Sequence, residues 1–263
     1  MSSPRLQDLL EAQFASQRVA RLLDLGCGDG AATRRLLITG LQPQWVTGVD
    51  PEDSAFSPGV PPGESDGEAT TPVASNFIRA DAHSVVSEGF PDSALPDMAL
   101  SGRALHHVRQ FGRLLKNTTA LLRMGAAARD TCSRLVVWEP VAAAGPFSEL
   151  HRIKVDVDRE LGVYHRRPFT RTVLERVLRY SVSAEDVRWD VLCEVQASRE
   201  PYSESEYRSE VEYMHRYVGL VRDRKTTYAR LKRRLSMLPP TPEQQPFGEP
   251  LLLAVATVCA HRS

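Results

Sequence analysis

The run Leu22-Leu23-Asp24-Leu25-Gly26-Cys27-Gly28-Asp29-Gly30 constrains this chain more than any other stretch. The apolar segment from Val19 to Leu25 reads as a buried strand. Three glycines follow at alternate positions, and Ala31 to Leu37 then supplies strong helix formers. Glycines at a strand-to-helix turn permit positive φ and let a ligand approach the backbone without meeting a Cβ. The amides that open such a helix have no partner inside it, so they can bind a polar ligand group. The pattern predicts a nucleotide-type site near the N-terminus.

The acids around the loop bear on which nucleotide. Gly26, Gly28 and Ala31 also satisfy the G-x-G-x-x-G/A dinucleotide fingerprint, and Asp50 lies about where a ribose-binding acid belongs. Two carboxylates weigh against a dinucleotide: Asp24, two residues before the first glycine, and Asp29, inside the loop that a pyrophosphate must approach. Like unit charges at close range repel by about 4 kcal/mol at an effective dielectric of 20. S-adenosylmethionine, cationic and without phosphate, tolerates such acids far better. Trp45 to Asp50 and Asn76 to Asp81 read as two further strands, each ending in a carboxylate. In a parallel open sheet the strand C-termini face one crevice, so Asp24, Asp50 and Asp81 are expected to converge there.

These residues carry a family resemblance. The chain resembles the class I S-adenosylmethionine-dependent methyltransferases, of the small-molecule type that includes the ubiquinone and menaquinone methylases. The matching stretches are Asp24 to Gly30, Gly48-Val49-Asp50, Ala80-Asp81-Ala82, Ser101 to Val108, and Trp138-Glu139-Pro140, which closes a fifth strand. Beyond Pro140 the resemblance is topological. It implies a Rossmann-like α/β fold with a seven-stranded, mostly parallel sheet of order 3-2-1-4-5-7-6, the seventh strand antiparallel. It also implies site residues. Gly26, Cys27 and Gly28 would let the loop backbone approach the methionine part, and Asp24 would hold the ammonium end. Asp50, with Pro51 beside it, would take the ribose hydroxyls; Asp81, beside Ala82, would take the adenine amine. The Ser101 backbone would meet the methionine end, and the product would be S-adenosylhomocysteine.

The end of the chain tests the topology independently. Val187, Trp189, Val191, Cys193 and Val195 alternate with polar residues, interrupted at Leu192, as a less covered edge strand should. Leu251 to Cys259 is continuously apolar, as a strand buried on both faces should be. The expected organisation is a cofactor-binding core over residues 1–140, a cap insertion over 141–168, core helix and sixth strand over 169–197, a helical cap insertion over 198–248, and the seventh strand over 249–263. The second insertion holds Tyr202, Tyr207, Tyr213, Tyr217 and Tyr228, five of the seven tyrosines. Met1 to Ala20 reads as a short amphipathic helix with Leu6, Leu9, Leu10 and Phe14 on one stripe. Residues 53–75, rich in Pro, Gly, Ser and Glu, read as a mobile loop in place of the usual second helix.

Composition limits the alternatives. Thirty-three basic residues balance 33 acidic ones, which gives no global reason to expect nucleic acid. Locally, Arg222 to Arg234 holds seven basic residues and one acid, a solvated helix face or a polymer-binding face. No run approaches 18 apolar residues, so no membrane span is expected. The cysteines at 27, 132, 193 and 259 lack metal-type spacing and are expected as reduced, buried thiols in a cytoplasmic protein.

Methyl transfer is an in-line displacement that needs a base only if the acceptor must lose a proton. His106 and His107, opening the element after the fourth strand, are the base candidates, with a lean to His107; Glu139 is a second candidate. His151, His165 and His215 read as surface or structural. Asp156 and Asp158 alternate without a coherent ligand set, so no metal is expected. The leading reading is a methyltransferase acting on a small organic molecule at O, N or C. An RNA or protein methylase using the Arg222–Arg234 face stays open, as do a noncatalytic S-adenosylmethionine-binding module and an NAD enzyme. Oligomeric state is not legible.

Overall fold

Seven strands form one sheet: β1 (Arg18–Leu25), β2 (Gln42–Asp50), β3 (Ala74–Arg79), β4 (Met98–Gly102), β5 (Cys132–Pro140), β6 (Val187–Val195) and β7 (Leu251–Cys259). They are seen in a computed structural model that describes residues 4–52, 56–58, 74–88, 90, 94–143, 145–182, 187–196, 203–240 and 250–260. The loop expected over 53–75 lies mostly outside those residues, as does Tyr202. The strand order is β3-β2-β1-β4-β5-β7-β6. The first five strands pair in parallel, and β7 is antiparallel to both β5 and β6. The order and polarity are those expected from the sequence.

Alternation along each strand distributes side chains between two cores. Leu22, Val46, Met98, Leu100, Val136 and Trp138 pack with α1 (Leu6–Phe14) and α2 (Ala31–Ile38). Leu23, Leu25, Val49, Ala99, Leu135 and Val137 pack with α3 (Ala82–Glu88), α4 (Phe111–Arg129) and, further along, α6 (Arg171–Val182). The amphipathic N-terminal helix is shorter than the expected Met1 to Ala20, because β1 takes the chain from Arg18. Strand β7 is buried at every position but its last, as its unbroken apolar run requires.

The break at Leu192 has a local cause. The β6–β7 register shifts between Trp189 and Val191. One extra residue in a strand moves everything after it to the opposite face. Val187, Trp189 and Leu192 accordingly meet one core, and Val191, Cys193 and Val195 the other. Asp190, at the shift, accepts from Arg134 and from Thr257 Oγ1, the latter at 2.5 Å.

The expectation of four reduced thiols fails at two positions: Cys132 and Cys259 form a disulfide. They start β5 and end β7, directly opposite each other in the antiparallel register, with Cα atoms 4.2 Å apart. Their pairing depends on a strand contact across 127 residues of sequence, which spacing does not reveal. Cys27 and Cys193 are free thiols. Among the described residues no helix is long and apolar enough to cross a membrane.

The two insertions meet each other. Helix α5 (Pro146–Leu161) packs with α7 (Glu204–Val218) and α8 (Lys225–Ser236) around Leu150, Ile153, Val157, Tyr207, Met214, Val218, Leu231 and Leu235. Pro146 opens α5 and Gly162, at φ +81°, ends it. Ser203 and Glu206 form a reciprocal capping box at the start of α7. The basic stretch has acidic partners within this layer: Arg224 binds Glu160, and Arg234 binds both Glu149 and Asp156. Those three acids recur at i, i+7 and i+11, one face of α5.

Candidate active site

Each glycine of the loop after β1 has its own geometry. Gly26 (φ +71°) donates its N–H to Val49 O at 2.8 Å, and a Cβ placed there would lie 2.4 Å from Ala104 Cβ. Gly28 (φ +49°) donates to Asp50 Oδ2 at 3.0 Å, and a Cβ there would meet nothing within 4 Å. Gly26 is therefore demanded by packing. Gly28 borders open space, the kind of cradle a ligand fills. Gly30 (φ +90°) turns the chain into α2.

Asp24 lies fully buried behind this loop. Thr33 donates its hydroxyl to Asp24 Oδ2 at 2.7 Å, while Oδ1 is buried with no hydrogen-bond partner among the described residues. Burial pushes its pKa up to about 7, and the nearby Asp50 charge adds to the rise. Ser101 Oγ, on β4, is likewise buried without a partner. The two orphaned polar atoms, at the ends of the neighbouring strands β1 and β4, suit a ligand rich in hydrogen-bond donors and fit S-adenosylmethionine's ammonium end. Cys27 is buried close against Gly48, and burial raises its thiol pKa. It is packing, with no sign of a nucleophile.

Asp50 ends β2, where its Oδ2 takes the Gly28 N–H and its Oδ1 takes the Glu52 N–H at 2.9 Å; Pro51 between them is exposed. Asp81 sits just past β3, whose chain is tied to β2 by Ala80 N–H to Asp50 O at 3.1 Å. Asp81 Oδ1 accepts from His83 N–H at 2.8 Å, so the acid also caps the helix that begins at the buried Ala82. The three carboxylates thus occupy neighbouring strand ends, with Asp24 and Asp50 close enough to interact. Asp81 opens instead onto an adjoining cleft of about 590 Å³, shared with Ser84, His107, Arg109, Arg113 and Tyr164. Asp29 is different. It is exposed and paired with Arg34 at 2.8 Å, which holds its carboxyl below the usual range. Its charge is therefore largely answered, and the case against a pyrophosphate rests on Asp24.

The histidines after β4 lie in a short 3-10 turn, Leu105–His107. Glu139, fully buried at the end of β5, holds that turn. Its Oε1 accepts the Leu105 N–H at 2.5 Å and its Oε2 faces His106 Nδ1 at 2.7 Å. Burial raises the Glu139 pKa to about 7. With both oxygens engaged and no path to solvent, Glu139 orients His106 and is poorly placed to take a proton from a substrate. His107 is exposed overall and lines the cleft. Desolvation of its ring, then the adjacent His106, His165 and Lys154, lower its pKa and keep the imidazole neutral.

Two further imidazoles arrive from the inserted layer, and these sequence reasoning had placed at the surface or in structural roles. His165 is buried, and its Nδ1 faces Asp158 Oδ2 at 2.5 Å. Its Nε2 lies 3.2 Å from His151 Nε2. Asp158 also accepts from the Tyr217 hydroxyl of α7. Burial opposes the charge on Asp158, but the His165 and Tyr217 bonds outweigh it and hold the pKa down. The His106 ring lies 4.3 Å from His107, 5.0 Å from His165 and 5.4 Å from His151, centroid to centroid. Four of the chain's seven histidines therefore pack in one cluster. The turn at Gly162 is the local cause, since it folds Tyr164 and His165 back along α5. The signal in the sequence was Asp158, Gly162 and His165 together: an acid, a helix stop and a histidine within eight residues.

Known proteins place this geometry. Residues 23–128 match the family model of a methyltransferase domain. No curated protein matches the sequence. Solved structures share the fold at low identity. The [4+2]-cyclase SpnF is 17% identical, covering 97% of this chain and 80% of that one at a TM-score of 0.53. A chain from the complex between the Haloferax volcanii Trm112 methyltransferase activator and a methyltransferase is 13% identical, covering 97% and 89% at 0.52. A protein from Bacillus halodurans described as a methyltransferase is 10% identical, covering 96% of each chain at 0.51. At such identities the likeness is one of fold.

Proposed function

Taking residues 23–128 as a methyltransferase domain of the class I, S-adenosylmethionine-dependent kind, we propose that this chain moves a methyl group to a small organic acceptor held between the sheet and the inserted helices. The observation that carries this reading is the cluster of four histidines beside the cleft. Core residues His106 and His107 face His151 and His165 of the insertion, so residues 141–168 and 198–248 act as one cap. The cleft of about 590 Å³ beside this cluster, lined by His107, Arg109, Arg113 and Tyr164, is of a size that suits a small molecule. For the polymer reading, two of the seven basic residues, Arg224 and Arg234, are engaged by acids of α5, which leaves a smaller basic face than the sequence suggests.

S-adenosylmethionine, when bound, supplies a methyl group already activated by its sulfonium. The protein's part is positioning, worth up to about 7–11 kcal/mol, and exclusion of water. Gly28 leaves room for the methionine part, and Asp24 Oδ1 with the Ser101 region receives its ammonium end. Asp50 takes the ribose hydroxyls and Asp81 the adenine amine. Glu139 accepts from His106 Nδ1–H, which fixes the tautomer and leaves Nε2 as an acceptor. His107, on the cleft and kept neutral with its pKa lowered to about 3, is a weak base, so its part is to accept a hydrogen bond from the acceptor group and orient it, with His106 behind it.

The test is release of S-adenosylhomocysteine by the purified chain with panels of small phenols, amines and acids, set against total RNA and a protein extract. Release is expected with a small acceptor, falling about 100-fold in His107→Ala. Methylation confined to RNA or protein would overturn the small-molecule reading. Tight binding of S-adenosylmethionine with no turnover on any acceptor would establish a noncatalytic module.

A further inference from the structure

The rings of His106, His107, His151 and His165 are packed together more closely than meeting an acceptor requires. The geometry points to a binding site for a divalent transition-metal ion of the zinc type, held by His106, His107 and His165 with His151 beside them. The ligand nitrogens of the first three already lie within 4.8 Å of one another. With the ion bound, His107 serves as one of its ligands, and the ion meets the acceptor in place of His107. Two of the rings are oriented by carboxylates in the manner of metal-bound histidines. Glu139 engages His106 Nδ1 at 2.7 Å, and Asp158 engages His165 Nδ1 at 2.5 Å. With the proton of each ring on Nδ1, Nε2 is the nitrogen able to bind a metal.

Spacing and chemistry agree on the kind of ion. Zinc–nitrogen bonds of about 2.0–2.1 Å in a tetrahedron place ligand nitrogens about 3.3 Å apart. The nitrogens of His106, His107 and His165 lie within 4.8 Å of one another, so ring movements of about 1 Å bring them to that spacing, while His151 Nε2 hydrogen-bonds His165 Nε2 at 3.2 Å. An all-imidazole set favours zinc, cobalt, nickel or iron(II) over magnesium and calcium, which require oxygen. The support extends outward, since Tyr217 of α7 donates to Asp158 and so steadies His165 through α5. His107 lies on the 590 Å³ cleft, which gives the ion and a further ligand a way in. Three protein ligands with a remaining position open to the cleft is the arrangement of an ion that binds and polarises a substrate oxygen. The ion site stands on these residues alone. Its consequence for substrate class, an acceptor bearing a hydroxyl that the ion can bind, rests on the methyl-transfer reading above.

The experiment titrates Co²⁺ into the metal-stripped full chain, following visible absorption and equilibrium dialysis, with Zn²⁺ as competitor. Expected is one Co²⁺ per chain with the intense absorption of four-coordinate cobalt, displaced by Zn²⁺. His165→Ala should weaken binding at least 100-fold, and Asp158→Asn 10- to 100-fold. His215→Ala, on the exposed face of α7, should bind as the parent does. Melting in EDTA reports whether each variant folds; should His165→Ala fail to fold, the parent's stoichiometry and Asp158→Asn decide. No cobalt retained by the parent, or equal retention in folded His165→Ala, overturns the proposal. Parallel calorimetry with S-adenosylmethionine on the stripped chain separates the two readings: cofactor bound by a chain that retains no cobalt leaves the methyltransferase and overturns the ion site alone.

Discussion

Alanine at Gly26 and at Gly28 should separate a glycine the fold needs from one the ligand needs. Both residues have positive φ, +71° and +49°, and placing an L-residue there costs about 1–2 kcal/mol. For Gly28→Ala that is the whole structural cost, since its Cβ meets nothing within 4 Å. For Gly26→Ala the new Cβ falls 2.4 Å from Ala104 Cβ, more than 1 Å inside the about 3.5–4.0 Å of a carbon contact. Ala104 has no rotamer with which to yield, so its backbone must move and carry the Leu105–His107 turn with it. Overpacking of this kind adds about 1–3 kcal/mol, for a total of about 2–5 kcal/mol. Urea unfolding measures both costs, and calorimetry with S-adenosylmethionine measures binding. Gly28→Ala should stay folded yet bind the cofactor about 10- to 100-fold more weakly, because its methyl group enters the ligand's space. Parental affinity in Gly28→Ala, or equal stability of the two variants, would refute the reasoning.

Two other perturbations follow from buried groups. Asp24 and Glu139 both have folded pKa values of about 7, above their ordinary 3.8 and 4.5. The folded chain thus binds more protons than the unfolded one in that window, and the stability these groups contribute is full below about pH 4 and lost as pH rises through 7. The ligand-free protein should melt lower at pH 8 than at pH 6, with a flatter dependence in Asp24→Asn; a rising melting temperature would contradict the assignment. Reducing Cys132–Cys259 opens a loop of 127 residues and should cost about 5 kcal/mol on the chain-entropy relation. Thiol titration of the unreduced, unfolded chain should find Cys27 and Cys193 alone; four reactive thiols would show the bridge absent.

Much of this architecture was readable because its determinants are local. A glycine loop, a strand ending in Asp50 and the unbroken apolar run of β7 each declare themselves within ten residues. The place of the last two strands followed from pattern too, since an alternating β6 belongs at an edge and a continuous β7 inside, while the rest of the order came from the resemblance. Leu192 looked like noise in that alternation and proved to mark a shift in register. What stayed hidden depends on contacts between distant segments. Cys132 meets Cys259 only once β5 and β7 pair. Part of the positive charge around α8, at Arg224 and Arg234, turned out to face Glu149, Asp156 and Glu160 of α5. His151 and Asp158 lie two turns apart on one face of α5, and Gly162 brings His165 back against them. No sequence spacing joins those residues to His106 and Glu139, which arrive from the sheet.

The claim that matters most is that the carboxylates at the strand ends, arranged around the glycine loop, hold a cationic methyl donor. Isothermal titration of the purified chain with S-adenosylmethionine, alongside its Asp50→Ala variant, tests it directly. The parent should bind one molecule per chain, and the variant should lose about 1.5–3 kcal/mol, the scale of charge-assisted hydrogen bonds. A parent that gives no heat with S-adenosylmethionine but binds a nicotinamide dinucleotide would contradict it, as would unchanged affinity in the variant.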